Sequence, residues 1–194
     1  MAAFVLGNGE SRAQINLDVL SNLGPIYGCN ALYRTHTPTV LVATDKPIAE
    51  QIELSGYSAR NRFYTRRPTP NLGAQRVPQQ YYGFSSGPIA VGLAALDHNP
   101  RIYLLGFDMG PNAQGQFNNV YADTEFYKKR GSLPTFTGNW VRQLCTIMRD
   151  YPQCQFIRVY GETTASVPEI EAQPNFQKMD IARFAGLINT PKDL

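Results

Sequence analysis

"FVLGNGESRAQ", residues 4–14, decides how the rest of the chain is read. An apolar run (Phe4, Val5, Leu6) breaks into Gly7–Asn8–Gly9 and restarts as a polar, helix-compatible stretch, the pattern of a strand turning tightly into a helix. Glycines at 7 and 9 let the turn bring backbone N–H groups close to a ligand, and the positive end of the next helix favours a phosphate. Residues 3–7 therefore read as a short buried strand. Ser11 followed three residues later by Gln14 is a capping-box pattern. It predicts a helix from about 12 to 23, ending at Gly24, with Ile15, Val19, Leu20 and Leu23 on one face. Glu10 fits as an acid at that helix's N-terminus, or as a partner for Arg12.

The same alternation continues. "PIYGCNAL" (25–32) and "TVLVATD" (39–45) read as the second and third strands, and "KPIAEQIELSG" (46–56) as a helix with Pro47 in its first turn. Ser86 is expected to cap an almost wholly apolar helix, 87–99, which must be buried. A strand over 101–109 follows, with Asp108 at its C-terminal end. A helix over 139–151, a last strand over 155–161 and a closing helix over 176–189 complete the pattern, with long functional loops at 65–80 and 110–135. Strands alternating with helices imply an α/β fold: a single Rossmann-like domain over 1–194, with a mainly parallel sheet covered by helices on both faces.

The totals agree with one domain. The chain has 194 residues, 43% of them apolar and 17% charged, with a net charge of +3, which argues against a dedicated nucleic-acid binder. Cys29, Cys145 and Cys154 are odd in number and form no CxxC pair, so a disulfide framework and a zinc site are disfavoured and a reducing compartment is favoured. With no cleavable signal and no long apolar span, the expectation is a cytoplasmic protein without a transmembrane segment. Homo-oligomerisation stays open.

In open α/β sheets the ligand sits beyond the carboxyl ends of the strands. There the sequence gathers Gly7, Asn8 and Gly9, then Asn30, then Thr44 and Asp45, then Ser85, Ser86 and Gly87, and finally Asp108. A set at so many strand ends is better explained by a pocket than by independent turns. Arg60, Arg62, Arg66, Arg67 and Arg76 follow one another with no acid between them, so they read either as a solvated loop or as a phosphate- or carboxylate-binding rim. The dinucleotide fingerprint fails because Arg12 stands where its third glycine belongs, and no GxxxxGK[ST] exists.

"LGNGES", "YGCNAL", "SSGPIAVGLAALDHNPRIYLLGFDM" and "YADT" together resemble the bacterial lipooligosaccharide sialyltransferases. "TPTVLVATD" resembles a related group, the motility-associated glycosyltransferase-like and hydroxymethylpterin diphosphokinase-like proteins. The resemblance covers most of residues 4–45 and 82–125, about half of the chain. It implies a CMP-activated sialic-acid-like donor on a Rossmann-like domain with a lid, here reduced. Asn8 and Gly9 would cradle the nucleotide phosphate, Asn30 would contact its sugar or base, and Ser85, Ser86 and Gly87 would bind the cytidine nucleotide or the donor carboxylate. Tyr121 would match a tyrosine that supports the departing phosphate.

The departures are specific. Asn139 in "TGNW" stands where the family has its histidine base, Gly110 where it has a second tyrosine, and Gly83 or Phe84 where it has an arginine. Asparagine accepts no proton near neutral pH. The substitutes are His36, expected on the ligand side of the sheet, and the carboxylates Asp45 and Asp108, unless Asp108 is bound to nearby backbone. His98 reads as a turn or capping residue, and Trp140 as core or pocket wall.

Three functions therefore compete. The first is a glycosyltransferase with a CMP-linked donor, a glycan acceptor and no required cofactor, in which Arg66, Arg67 and their neighbours neutralise the donor. The second is a nucleotide-binding protein without transfer chemistry. The third is a magnesium-dependent diphosphotransferase for a pterin-like alcohol, with Asp45 and Asp108 as ligands. A compact, lid-poor form would suit a phage genome.

Overall fold

The computed structural model describes residues 1–191 and 194. One eight-stranded sheet runs through it in the order β5-β4-β3-β2-β1-β6-β7-β8, every neighbouring pair parallel. The strands are β1 Ala2–Leu6, β2 Ile26–Cys29, β3 Val40–Val42, β4 Phe63–Thr65, β5 Gln75–Arg76, β6 Arg101–Leu105, β7 Gln155–Tyr160 and β8 Phe176–Asp180. The helices are α1 Leu17–Ser21, α2 Lys46–Leu54, α3 Ser86–Leu96, α4 Gly138–Asp150, α5 Pro168–Glu171 and α6 Ile181–Asn189.

Strand periodicity sorts the core into two layers. Ala3, Val5, Val40, Val42, Ile102, Leu104 and Phe156 point to the α3, α4 and α5 side. Ala2, Phe4, Leu6, Leu41, Phe63, Tyr103 and Leu105 point to the α1, α2 and α6 side. Both faces are covered, as a parallel sheet requires. α3 is buried along almost its whole length, from Ser86 to Ala95, which is why its sequence shows no polar face.

The chain departs from its sequence reading in four places. The helix expected over 12–23 is a 3-10 turn, Glu10–Gln14, followed by the short α1. The Ser11–Gln14 capping box does not form: the turn has no side-chain cap, and Ser11 bonds to Asp108 instead. The loop expected over 65–80 holds β5 and follows β4, two strands the sequence concealed. β7 is not the last strand, because β8 occupies the first turn and more of the helix expected over 176–189. The cap of α3 falls on Ser85 and its first residue is Ser86.

Sheet order reverses between β1 and β6, two adjacent interior strands from which the chain continues in opposite directions across the sheet. At such a switch point the segments leaving the strands diverge and open a crevice. No helix among the described residues is long and apolar enough to cross a membrane, and all three cysteines are buried and unpaired.

Candidate functional site

A cavity of about 450 Å³ opens at this switch point. Its floor is the segments leaving β1 (Gly7, Asn8, Gly9), β2 (Cys29, Asn30), β3 (Thr44, Asp45) and β6 (Gly106 to Gly110), and the start of α3 (Ser85 to Pro88) forms one wall. The irregular segment between β6 and α4 supplies the opposite wall through Phe117, Asn118, Asn119, Phe126, Tyr127 and Lys128. Thr135, Thr137 and Trp140 close the remaining side, so Trp140 is pocket wall.

The glycines of the first turn serve packing between the exits of β1 and β6. A Cβ on Gly7 would lie 2.5 Å from the Gly106 carbonyl oxygen, and one on Gly9 would enter the Asp108 carboxyl group. Gly106 itself has φ +72° and its Cβ would lie 2.8 Å from the Gly7 oxygen. The N–H groups of Gly7 and Gly9 donate to Leu105 O and Gly106 O, each at 2.8 Å. They are spent on the fold and are not offered to a ligand.

The next amides are also taken, by side chains. Glu10 N–H donates to Asn118 Oδ1 at 2.8 Å and Ser11 N–H to Asp108 Oδ2 at 3.0 Å. Asp108 is buried. It also accepts from the Ser11 hydroxyl, from Asn118 Nδ2 at 3.1 Å, and from the hydroxyls of Thr163 at 2.7 Å and Thr164 at 3.1 Å. Five donors thus hold one carboxylate, which fills the anion-binding turn that the sequence offers to phosphate. The Glu10 carboxylate pairs with Arg130, not with Arg12.

The polar capacity left for a ligand lies elsewhere on the wall. The side-chain oxygens of Asn8 and Asn30 are buried and have no hydrogen-bond partner, and both residues line the cavity. Such atoms cost roughly 1–3 kcal/mol each unless something donates to them. Asn30 stands at φ +55°, a conformation asparagine tolerates better than most residues, which fixes where its side chain starts. Ser85 N–H is bound to Gln143 Oε1 at 2.8 Å. The Ser86 hydroxyl receives Thr44 N–H at 3.0 Å and shares a second hydrogen bond with Thr44 Oγ1, which ties the end of β3 to the head of α3. The N–H groups of Ser86 and Gly87 then open an eleven-residue helix toward the cavity, with no acceptor among the described residues.

Of the arginine cluster only Arg66 reaches the wall, where its Nη2 donates to Phe84 O at 3.2 Å. Arg67 is exposed and outside the cavity. Arg62 belongs to the other end of the molecule: it pairs with Asp97 at the far end of α3, at 2.7 Å. Lys128 adds a second cation to the wall.

Two predicted catalytic residues fall outside the cavity. His36 follows a 3-10 turn, Asn30–Arg34, that carries the chain round to α1. It sits in a separate shallow depression beside Asp18, with Nε2 3.9 Å from Asp18 Oδ1. Tyr121 lies behind the wall, where its hydroxyl accepts from Arg12 Nη2 at 3.1 Å and its ring packs at a tilt, centroids 5.5 Å apart, against Tyr127, the tyrosine that does face the cavity. Burial pushes the Tyr121 hydroxyl up, against the opposing pull of Arg12. Asp108, Gly7, Asn8, Gly9, Asn30, Thr44, Asp45, Ser85, Ser86, Gly87 and Arg66 all line the cavity. Asn118, Tyr127 and Lys128 were missed, because an irregular loop has no periodicity to show which side chains turn inward.

No family model matches this chain, and no curated protein or solved structure does either.

Proposed function

We propose that this protein binds a nucleotide-activated sugar, with a CMP-linked sialic-acid-like donor the leading candidate, and transfers the sugar to a glycan acceptor. The observation that carries the reading is the pair of unpartnered amide oxygens, Asn8 Oδ1 and Asn30 Oδ1, on the wall that also holds the open head of α3. Amide oxygens accept from hydroxyls and amino groups. Helix N–H groups and an arginine donate to phosphate, which only accepts at its oxygens. A nucleotide-sugar carries both kinds of group in one molecule, and the cavity volume falls in the range of small-ligand sites. Phe107, Phe126 and Trp140 offer faces against which a base can pack. The motif resemblance to the sialyltransferases supports the choice of donor.

The phosphate belongs at Ser86 and Gly87 of α3, beside Arg66, since Asp108 fills the first turn. There the helix end and the cation stabilise charge on the departing phosphate, which is the main catalytic contribution. A nucleotide binder without transfer chemistry is the second reading, favoured by His36 and Tyr121 lying off the cavity. Diphosphoryl transfer would need Asp108 as a magnesium ligand, and its five hydrogen bonds disfavour that role. The deciding experiment incubates the protein with CMP-N-acetylneuraminate and follows CMP release. Release above the uncatalysed rate supports a transferase. CMP bound without release supports the binder.

A further inference from the structure

We infer that Asp45 is the proton acceptor of the transfer reaction, an assignment that rests on the nucleotide-sugar reading above. The titratable side chains on the cavity wall are Cys29, Asp45, Arg66, Asp108, Tyr127 and Lys128. Arg66 and Lys128 are cations and accept no proton. Burial pushes the Cys29 thiol up to about 12, with the Arg12 charge opposing, and its Sγ lies 3.7 Å from Leu6 O. Burial also drives the Tyr127 hydroxyl far upward, and its oxygen already accepts from Ala31 N–H at 3.4 Å. Asp108 has both carboxylate oxygens occupied by five donors.

Asp45 differs from all of them. It stands at the cap position of α2, yet its side chain bonds none of that helix's amides. Its carboxylate makes no hydrogen bond or ion pair among the described residues, and it is exposed at the cavity wall one residue after Thr44, which is tied to the head of α3. A free carboxylate next to the phosphate site and open to solvent is placed to meet an incoming acceptor. The acceptor's hydroxyl proton passes to an Asp45 oxygen while the hydroxyl oxygen bonds to the anomeric carbon. The bond from that carbon to the phosphate oxygen breaks, and its electron pair leaves with CMP. In hydrolysis, water takes the acceptor's place and the same balance holds.

The charged groups sharing this space are Arg66 after β4, Lys128 and Asp108 on the wall, and Lys46 on its own helix, whose Nζ lies 3.6 Å from Glu50. The test compares wild type, Asp45→Asn and Asp45→Glu for CMP release from CMP-N-acetylneuraminate across pH, with CMP affinity measured by calorimetry. Asp45→Asn is expected to lower kcat by about 10²–10⁴-fold and flatten the acid limb of the pH–rate profile, leaving the Kd for CMP within about threefold. Asp45→Glu is expected to recover part of the rate with the acid limb restored. An Asp45→Asn enzyme with unchanged kcat overturns the assignment alone, as does a raised KM at constant kcat. Wild type that binds CMP without releasing it from the donor overturns both the transferase reading and this one.

Discussion

Ser11 donates twice to Asp108, through its backbone N–H at 3.0 Å and through its hydroxyl, across 97 residues of chain. The two residues lie just beyond the ends of the adjacent interior strands β1 and β6, where the sheet order reverses. A carboxylate of the protein thereby takes the position that a glycine turn of this kind offers to phosphate. The "GNGES" stretch docks one strand exit onto the other.

Asp108→Ala should therefore act first on stability. It strips an acceptor from five donors at a site that is only partly open to water. The expected loss is about 2–4 kcal/mol, read as a fall in Tm of roughly 5–15 °C for a chain of this size. A variant that melts like wild type would show that the network contributes little.

Gly9→Ala and Gly87→Ala separate packing from binding. A Cβ at position 9 collides with the Asp108 carboxyl and lies 2.7 Å from Gly106 O, whereas one at position 87 meets the Phe107 ring at 3.5 Å or more, an ordinary contact. Gly9→Ala is expected to cost about 2–4 kcal/mol in thermal or urea unfolding, and Gly87→Ala less than about 1 kcal/mol. A phosphate cradle at Gly9 would give the reverse for that residue: lost binding with stability kept.

Arg158 is fully buried on β7 and forms no ion pair among the described residues. It donates to Phe107 O at 3.0 and 2.8 Å, to Asp108 O at 3.2 Å and to Tyr160 OH at 3.0 Å, so it pins the segment that leaves β6. Burial lowers its basicity, with Tyr160 opposing. Arg158→Met keeps much of the volume but leaves those carbonyls unpaired, and it should destabilise by about 3 kcal/mol in chemical unfolding.

Much of this architecture was legible and some was not, for physical reasons. β1, β2, β3, β6 and β7 show as apolar runs because both their faces are buried. β4 is buried but only three residues long and set among arginines, too short to show a period, and β5 is two exposed residues paired with β4, with no apolar side chain to mark it. β8 alternates weakly and runs directly into α6, which let the two merge into one helical reading. The strand-end rule found most of the cavity floor. It misplaced His36 because a 3-10 turn reverses the chain after β2, and it could not show that Ser11 prefers a partner far along the chain to its own helix amides.

At the far end of α3, Arg62 and Tyr27 both donate to Asp97. Burial works against ionisation of Asp97, but these hydrogen bonds and the Arg62 charge outweigh it and hold the carboxyl below its usual range. A depressed folded-state value means that its contribution to stability is complete above about pH 4 and fades as the pH falls further. Because the pair is partly exposed to water, the effect is modest, about 1 kcal/mol or less. Asp97→Asn should lower Tm slightly at pH 7 and converge on wild type near pH 2; a constant difference across that range would contradict the ion pair's role.

The most direct measurement is calorimetric titration of CMP into wild type, Asn8→Ala and Asn30→Ala, each with and without Mg²⁺. The account predicts that CMP binds without metal and that each substitution weakens it by about 5–10-fold, the worth of one hydrogen bond to a ligand donor. CMP that fails to bind, or that binds equally well to both variants, would contradict the claim that these two amide oxygens await a nucleotide-sugar.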